Sequence, residues 1–438
     1  MTFKQYPKYR DSGVEWLGEV PEGWKVSRLG FESWMRARLG WKGLKAEEYV
    51  DDGFVFLSTP NIKGRDIDFE NVNYIDEIRY DESPEIKLNV GDVLLAKDGS
   101  TLGTVNVVRE LPRPATVNSS IAVISPMQRL DSFYLYRLFE SSYLANTIKR
   151  IKGGMGVPHL FQEDLNKFYI TLPPLREQTA ISAFLDRETA RIDALVEKKT
   201  RFIGLLKEKR SALITDAVTG KFDVTTGKPY PKYKPSGVEW LGDVPAGWGV
   251  KQLKFAAPLQ SGKLAAKGLD LPYIGLENIE SWTGKFVPNA EADETEGVSN
   301  TFSDGDVLFG KLRPYLAKAL LPDFDGLCSS ELLVLRGKEM LPAYLLRFVL
   351  SYDFVNQVDA STYGTKMPRA NWEFIGNLPA IVPPKNEQFA IATFLDRETA
   401  RIDALLEKTG KSIELLKERR VALITAAVTG KIDVREMV

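Results

Sequence analysis

The chain has 438 residues, 44% hydrophobic and 11% aromatic, with a formal net charge of −1. Two to three domains are expected on a prior of about 150 residues each, and the apolar content supports packed cores and excludes a disordered chain. The charge excludes a generally basic nucleic-acid coat but not a local basic face, because phosphates respond to local charge.

A single cysteine, Cys328, excludes an internal disulfide and fits a reducing cytosol. A single histidine, His159, excludes a Cys/His zinc site and any serine triad that does not use it. The longest apolar runs fall well short of the ~20 residues of a membrane span. The first residues, Met-Thr-Phe-Lys-Gln-Tyr-Pro-Lys-Tyr, lack the apolar core of a signal peptide. A cytoplasmic protein without a membrane partner is the expectation.

In chain order, residues 7–26 form a turn-rich lead-in, punctuated by Gly and Pro around Trp16 and Trp24. Packing is the expected role of these tryptophans, with base stacking by Trp16 or Trp240 as the alternative. A globular region follows, over about 27–171. Its β-branched and aromatic runs Phe54–Leu57, Val93–Leu95 and Ile121–Ile124 predict strands, and Leu135–Ile151 predicts a helix beside them.

Residues 172–224 predict one long helix. Pro173 and Pro174 precede it, Gly220 sits where a left-handed cap residue is wanted, and strong helix formers lie between. Ile181, Leu185, Ile192, Leu195, Phe202, Leu206 and Leu213 make a narrow heptad-type stripe that needs a partner helix.

The chain then begins again. Residues 231–250 repeat the lead-in, including Tyr233, Ser236, Gly237, Val238, Glu239, Trp240, Leu241, Gly242, Pro245 and Trp248. A second globular region follows over 251–381, with Ala343–Val358 as a helix. A second long helix fills 382–438. Its block Phe394–Leu405 reads Phe-Leu-Asp-Arg-Glu-Thr-Ala-Arg-Ile-Asp-Ala-Leu, identical to Phe184–Leu195. Each block follows a Pro-Pro pair and a Glu-Gln pair (Glu177, Gln178; Glu387, Gln388), and each helix ends in Ala-Val-Thr-Gly-Lys. Ile391, Leu395, Ile402, Leu405, Leu416 and Leu423 repeat the stripe. So long a duplication has to be read before any single element. It predicts an intramolecular two-helix coiled coil; the alternative is two ordinary core helices in separate domains. Glu188, Lys199, Lys209 and Glu398 interrupt the stripe, and Gly410 costs the second helix about 1 kcal/mol against Ala.

The globular regions share only landmarks. Gly91-Asp-Val-Leu-Leu-Ala-Lys97 matches Gly305-Asp-Val-Leu-Phe-Gly-Lys311, Ser119-Ser120 matches Ser329-Ser330, and a Gly-bearing stretch ending at Pro158 matches one ending at Pro368. Two close copies of a frame therefore carry two diverged α+β globes.

This pattern resembles the specificity subunit of type I restriction–modification systems. The resemblance covers nearly the whole chain. It rests on the Pro-Pro…Glu-Gln…Phe-Leu-Asp-Arg-Glu-Thr-Ala-Arg-Ile-Asp-Ala-Leu block, the Thr-Gly-Lys ending, the Ser-Gly-Val-Glu-Trp-Leu-Gly lead-in and the Gly-Asp-Val-Leu strand, all present twice and in order.

The resemblance implies an α+β fold with an internal pseudo-two-fold. Two target-recognition domains (1–171 with the first lead-in, 225–381 with the linker and the second) would be joined by two long helices (172–224, 382–438) packed as an antiparallel coiled coil. Each domain would read one half of a split, asymmetric site in double-stranded DNA. The helices would dock two methyltransferase subunits, and motor-nuclease subunits would join them. S-adenosylmethionine, ATP and magnesium would belong to those partners, with no cofactor, no metal and no catalytic residue in this chain. The residues agree: the sequence contains neither a phosphate-binding Gly-x-x-x-x-Gly-Lys-Ser/Thr loop nor an Asn/Asp-Pro-Pro-aromatic motif. Two other readings stay open, a stand-alone DNA-modifying enzyme and a coiled-coil adaptor that binds only proteins.

For DNA contact, Lys97, Asp98, Ser100 and Thr101 follow a strand in a Gly-bearing loop, and Lys152, Met155 and His159 lie in a second. The matching positions of the second globe include Lys311, Arg313, Tyr315, Tyr363, Thr365, Lys366 and Arg369. Arg313 and Arg369 are the candidates for bidentate guanine or phosphate contacts. The competing role for each residue is a solvated charge or a turn residue.

Half-sites about one helical turn apart, ~34–36 Å, suit two globes related by a pseudo-two-fold. Inserting a few residues after Leu195 should therefore change the tolerated gap between half-sites; an unchanged gap contradicts the spacer role.

Overall fold

The computed structural model describes residues 3–37, 44–151, 159–265, 271–288, 298–364 and 366–437. Both long helices are unbroken, Leu175–Thr219 and Lys385–Val428. Each stops for the same reason. Gly220 and Gly430 take the left-handed conformation, with φ of 74° and 71°. The next amides fold back, Lys221 N–H to the Asp216 carbonyl (2.9 Å) and Lys431 N–H to the Ala426 carbonyl (2.8 Å). This six-to-one closure satisfies a helix-end carbonyl that has no intrahelical partner. No helix among the described residues is long and apolar enough to cross a membrane.

Contacts divide the chain into two units, residues 1–198 with 412–438, and residues 199–411. The divisions fall inside the long helices, whereas the sequence suggested boundaries at their ends. Each unit is thus built from the start of one long helix and the end of the other.

In the first unit, Ile181, Leu185 and Ile192 share a core with Leu423, Ile424, Ala427 and Val428. Burying each large aliphatic side chain there contributes about 1.5–3 kcal/mol. The two segments run antiparallel: Thr171, just before the first helix, reaches Val428, and Asp193, further along it, pairs with Arg420. In the second unit Ile391 and Leu395 pack with Ile214, Ala217 and Val218, and Asp403 pairs with Arg210 at 3.1 Å.

The predicted stripe needs a correction at mid-helix. Leu195, Phe202 and Leu405 are exposed (40%, 44% and 46%), while Val196 packs against the first unit's core. The buried line steps four residues from Ile192 to Val196, and a neighbouring residue lies about 100° around the helix. Ile181, Leu185, Ile192, Leu206, Ile391, Leu395, Ile402 and Leu423 are buried as expected, and Leu213 and Leu416 are half-buried against their cores. Thr189, Arg210, Thr399 and Thr409 are among the buried polar residues of these helices.

The repeated Glu-Gln pair fixes each frame. Glu177 accepts from the Tyr6 hydroxyl (2.6 Å) and the Trp24 indole (3.0 Å); Glu387 accepts from Tyr230 (2.9 Å) and Trp248 (2.8 Å). Burial, then the bond to Glu177, hold the Tyr6 phenol well above its usual range. Gln178 is fully buried and spends its amide on the Arg129 and Pro173 carbonyls and the Asp131 N–H; Gln388 does the same with Glu339, Pro383 and Leu341. A buried amide satisfied at three points ties the helix start to the globe before it. The Asp of the shared block pairs with an arginine of that globe, Asp186 with Arg137 and Asp396 with Arg347. Trp24 and Trp248 are buried, as their packing role requires; Trp16 is half exposed, with the Arg150 guanidinium over its ring.

Each globe has a four-stranded antiparallel sheet of one order. In the first it runs Ser33–Arg36, Ile121–Pro126, Val93–Ala96, Val105–Val107; in the second Leu259–Gln260, Leu332–Arg336, Asp306–Gly310, Ala319–Leu320. Strand Val93–Ala96 is buried on both faces. Val93 and Leu95 point to the helix-side core, Leu94 and Ala96 to a second core beside Val55, Leu57, Ala115 and Val117. Two buried faces account for its unbroken apolar run. The predicted flanking helices are each two helices, Ser132–Glu140 with Ser142–Ile151, and Pro342–Val349 with Tyr352–Ala360. Ser141 and Ser351 make the breaks, their hydroxyls bonding back to Leu138 and Phe348 carbonyls. Cys328 is buried at the end of strand Gly326–Cys328, and burial pushes its thiol up to about 12.

A Cβ at Gly430 would lie 2.3 Å from Pro21 Cδ and 3.2 Å from Trp24 Cζ3. Gly430→Ala should cost about 2–4 kcal/mol, from the left-handed backbone and from overpacking. Gly410→Ala, with nothing within 4 Å of its added Cβ, should gain about 1 kcal/mol. Thermal melting checks both; equal midpoints for the two variants would contradict the packing described.

Candidate nucleic-acid interface

In both globes the central strand of the four-stranded sheet hands over to one loop, Lys97–Thr104 in the first and Lys311–Lys318 in the second. The same bonds hold both. Ala96 N–H donates to Thr104 O and Gly310 N–H to Lys318 O, each at 2.8 Å. Lys97 N–H reaches Ser120 O, and Lys311 N–H reaches Glu331 O. A one-turn 3-10 helix forms each tip, Gly99–Thr101 and Pro314–Leu316.

The backbones also match where they are least comfortable. Gly99 and Gly103 have φ of 67° and 88°; Arg313 and Ala317, at the equivalent places, have φ of 50° and 45°. Glycine adopts this region freely, whereas a side chain there costs about 1–2 kcal/mol. Arg313 also precedes Pro314, and a residue before proline is normally pushed to extended conformations.

In each globe the described residues at the end of the second predicted stretch, His159 with Leu160 and Arg369 with Ala370, lie alongside the first loop. Leu160 N–H donates to Lys97 O (2.8 Å), and Ala370 N–H to Lys311 O (3.0 Å). Asp98 pairs with His159 across this edge, and Leu312 with Arg369. The described parts of the stretches proposed from sequence are therefore brought together in both globes. Lys152, Met155 and Thr365 lie outside the described residues.

In the first globe Ser100 is exposed, while Lys97, Asp98 and Thr101 are partly buried. Burial pulls the Lys97 ammonium below its usual range, and Asp98 opposes that shift. His159 Nδ1 stands 3.9 Å from the Asp98 carboxylate, and its ring meets Phe161 edge-on at 4.6 Å. Phe161 is 63% exposed and was not anticipated.

In the second globe Arg313, Tyr315, Tyr363, Lys366 and Met367 are exposed, and Lys311 is partly buried. The two arginines part company here. Arg369 sets its guanidinium fork on the Glu331 carboxylate, Nε at 3.2 Å and Nη2 at 2.9 Å. Arg313 has no hydrogen bond or ion pair from its side chain among the described residues. The Glu331 pairing left no sequence signal, since 38 residues separate the partners. The left-handed Arg313 did leave one: aligning Gly91–Lys97 on Gly305–Lys311 sets Gly99 opposite Arg313.

Exposed cations and aromatics on a braced tip suit phosphate and base contact. Among the described residues no cluster of three or more His, Cys, Asp or Glu is placed to hold a metal ion.

Comparison with known proteins agrees in kind. Residues 21–201 match the family described as the type I restriction modification DNA specificity domain. The chain is 24% identical to the type I restriction enzyme EcoDI specificity subunit of Escherichia coli over 434 residues, 95% of this chain and 90% of that protein. It is 20% identical to the EcoKI specificity subunit of Escherichia coli (strain K12), again over 95% and 90%. Among solved structures, a chain from a study of complex assembly and conformational transition of the type I R-M system superposes with a TM-score of 0.66 at 18% identity, covering 93% of this chain and 98% of that one. The HsdS subunit of Thermoanaerobacter tengcongensis gives 0.54 at 16% identity, covering 94% and 98%. At these identities the structural likeness speaks for the fold.

Proposed function

The chain belongs to the specificity subunits of type I restriction–modification systems, and from that premise we propose that it selects the DNA sequence on which such a complex acts. Each globe reads one half of a two-part site. The loops Lys97–Thr104 and Lys311–Lys318, with the edges at His159 and Arg369, meet the DNA. The exposed mid-helix residues, Leu195 in the first unit and Phe202 and Leu405 in the second, are docking positions for two methyltransferase subunits, and motor-nuclease subunits complete the assembly in the cytoplasm. The chain itself is non-catalytic. S-adenosylmethionine, ATP and magnesium act on the partner subunits, which supply methyl transfer and cleavage.

One observation carries this reading: a single loop backbone occurs twice, held at its matched base by the same hydrogen bonds, with unlike side chains at its tip. A matched frame with unlike tips suits two readers of unlike half-sites. Base edges in the major groove distinguish all four pairs, so changing tip side chains changes the sequence read without rebuilding the fold. Phosphate contacts from the frame would fix register and carry no sequence preference.

The test is to produce the chain with type I modification subunits and map methylated adenines across a genome. A motif in two parts separated by a fixed run of unspecified bases is the expected result. A continuous motif, or none, would contradict the proposal, and S-adenosylmethionine binding by the purified chain alone would contradict the assignment of chemistry to partners.

A further inference from the structure

Resting on the reading just proposed, we infer that Arg313 is a base-reading side chain of the second globe and that it takes the O6 and N7 of a guanine in that half-site. The first globe makes the same turn with Gly99, at φ 67°, so the fold does not require a side chain at this point. The second globe places an arginine in the left-handed region, at φ 50° and ψ 61°, directly before Pro314. Strain of this kind persists only where surrounding structure fixes it, and here it is fixed on every side. Arg313 N–H donates to Pro368 O at 2.7 Å, its carbonyl accepts from Leu316 N–H at 2.9 Å, and Ala317 N–H closes on Pro314 O at 2.8 Å. Trp282 N–H then holds Ala317 O at 3.0 Å.

What the turn presents is a free guanidinium. Arg313 is exposed, and among the described residues nothing bonds to its side chain. Arg369, its neighbour across the loop edge, is already engaged: Glu331 holds its Nε and Nη2, one of the two planar donor pairs by which a guanidinium can match guanine. Arg313 keeps that pair, on a rigid base, beside the exposed Tyr315. A two-pronged donor held in place discriminates guanine from other bases roughly ten- to a hundredfold. Gly99 offers nothing at the matched place, so the first globe lacks this contact and the two half-sites differ there.

The experiment uses the full chain in complex with type I modification subunits and three versions of it: wild type, Arg313→Gly and Arg313→Lys. Arg313→Gly copies the first globe and removes the backbone strain, so its thermal midpoint should be unchanged or raised. Methylation is then mapped on a library randomised across both half-sites. Arg313→Gly should keep the first half-site and the gap, and lose roughly ten- to a hundredfold of discrimination at one G·C pair of the second half-site. Arg313→Lys should lose discrimination at the same pair, because an ammonium lacks the fork. An unchanged second half-site in Arg313→Gly would overturn the inference. So would equal weakening on all sequences with base preference intact, the signature of a phosphate contact. A wild-type complex without a two-part motif would overturn the underlying reading, and this assignment with it.

Discussion

Each folded unit depends on a pairing between distant parts of the chain, the start of one long helix against the end of the other. The last carbonyls of an α-helix have no partner within it. Here the globe supplies partners. Val428 O accepts from the Tyr134 and Thr171 hydroxyls at 3.1 and 2.6 Å, and Val218 O accepts from Tyr344 at 3.2 Å. The contacts span 294, 257 and 126 residues of sequence. Neither globe can complete its core from its own continuous stretch. The first takes Leu423, Ile424, Ala427 and Val428 from the last helix, and the second takes Ile214, Ala217 and Val218 from the first.

That constraint explains which residues the two halves share. The twelve-residue block and its flanks are occupied with closure. Phe184, Leu185, Thr189 and Ile192 are buried, Asp186 holds Arg137, and Asp193 holds Arg420, which also reaches Glu140. Glu177 and Gln178 clamp the lead-in and the globe to the helix start. Such groups tolerate little change, because a buried polar atom that loses its partner costs about 1–3 kcal/mol. The loop tips carry no such duty. Ser100 in one globe and Arg313 and Tyr315 in the other face solvent. Side chains can therefore diverge at the tips while the frame stays fixed.

Much of this was legible in the sequence, through the duplication above all. Helix ends followed from Pro174, Pro384, Gly220 and Gly430, and the central strands followed from Gly-Asp-Val-Leu. Two features of the frame were not legible, for physical reasons. Leu195, Phe202 and Leu405 read as seam residues because a heptad permits steps of three or four, and only the partner's position selects Val196. The sharing of helix ends between units was hidden because periodicity reports a buried face and not what covers it. At the candidate interface the loops were found, but the contrast between Arg313 and Arg369 was not. Both are arginines beside a turn, and the distinction rests on Glu331, which comes near only in the fold.

The most direct measurement of the shared-end pairing is hydrogen exchange on an Ile424→Asp variant. A carboxylate placed at this fully buried position should open the first unit. Protection should fall in Ser132–Glu140 and Tyr169–Leu172, more than 250 residues earlier in sequence, and remain in Pro342–Val349 and Pro379–Val382 of the second unit. Loss confined to the second unit, or unaltered protection in Ser132–Glu140, would contradict the account.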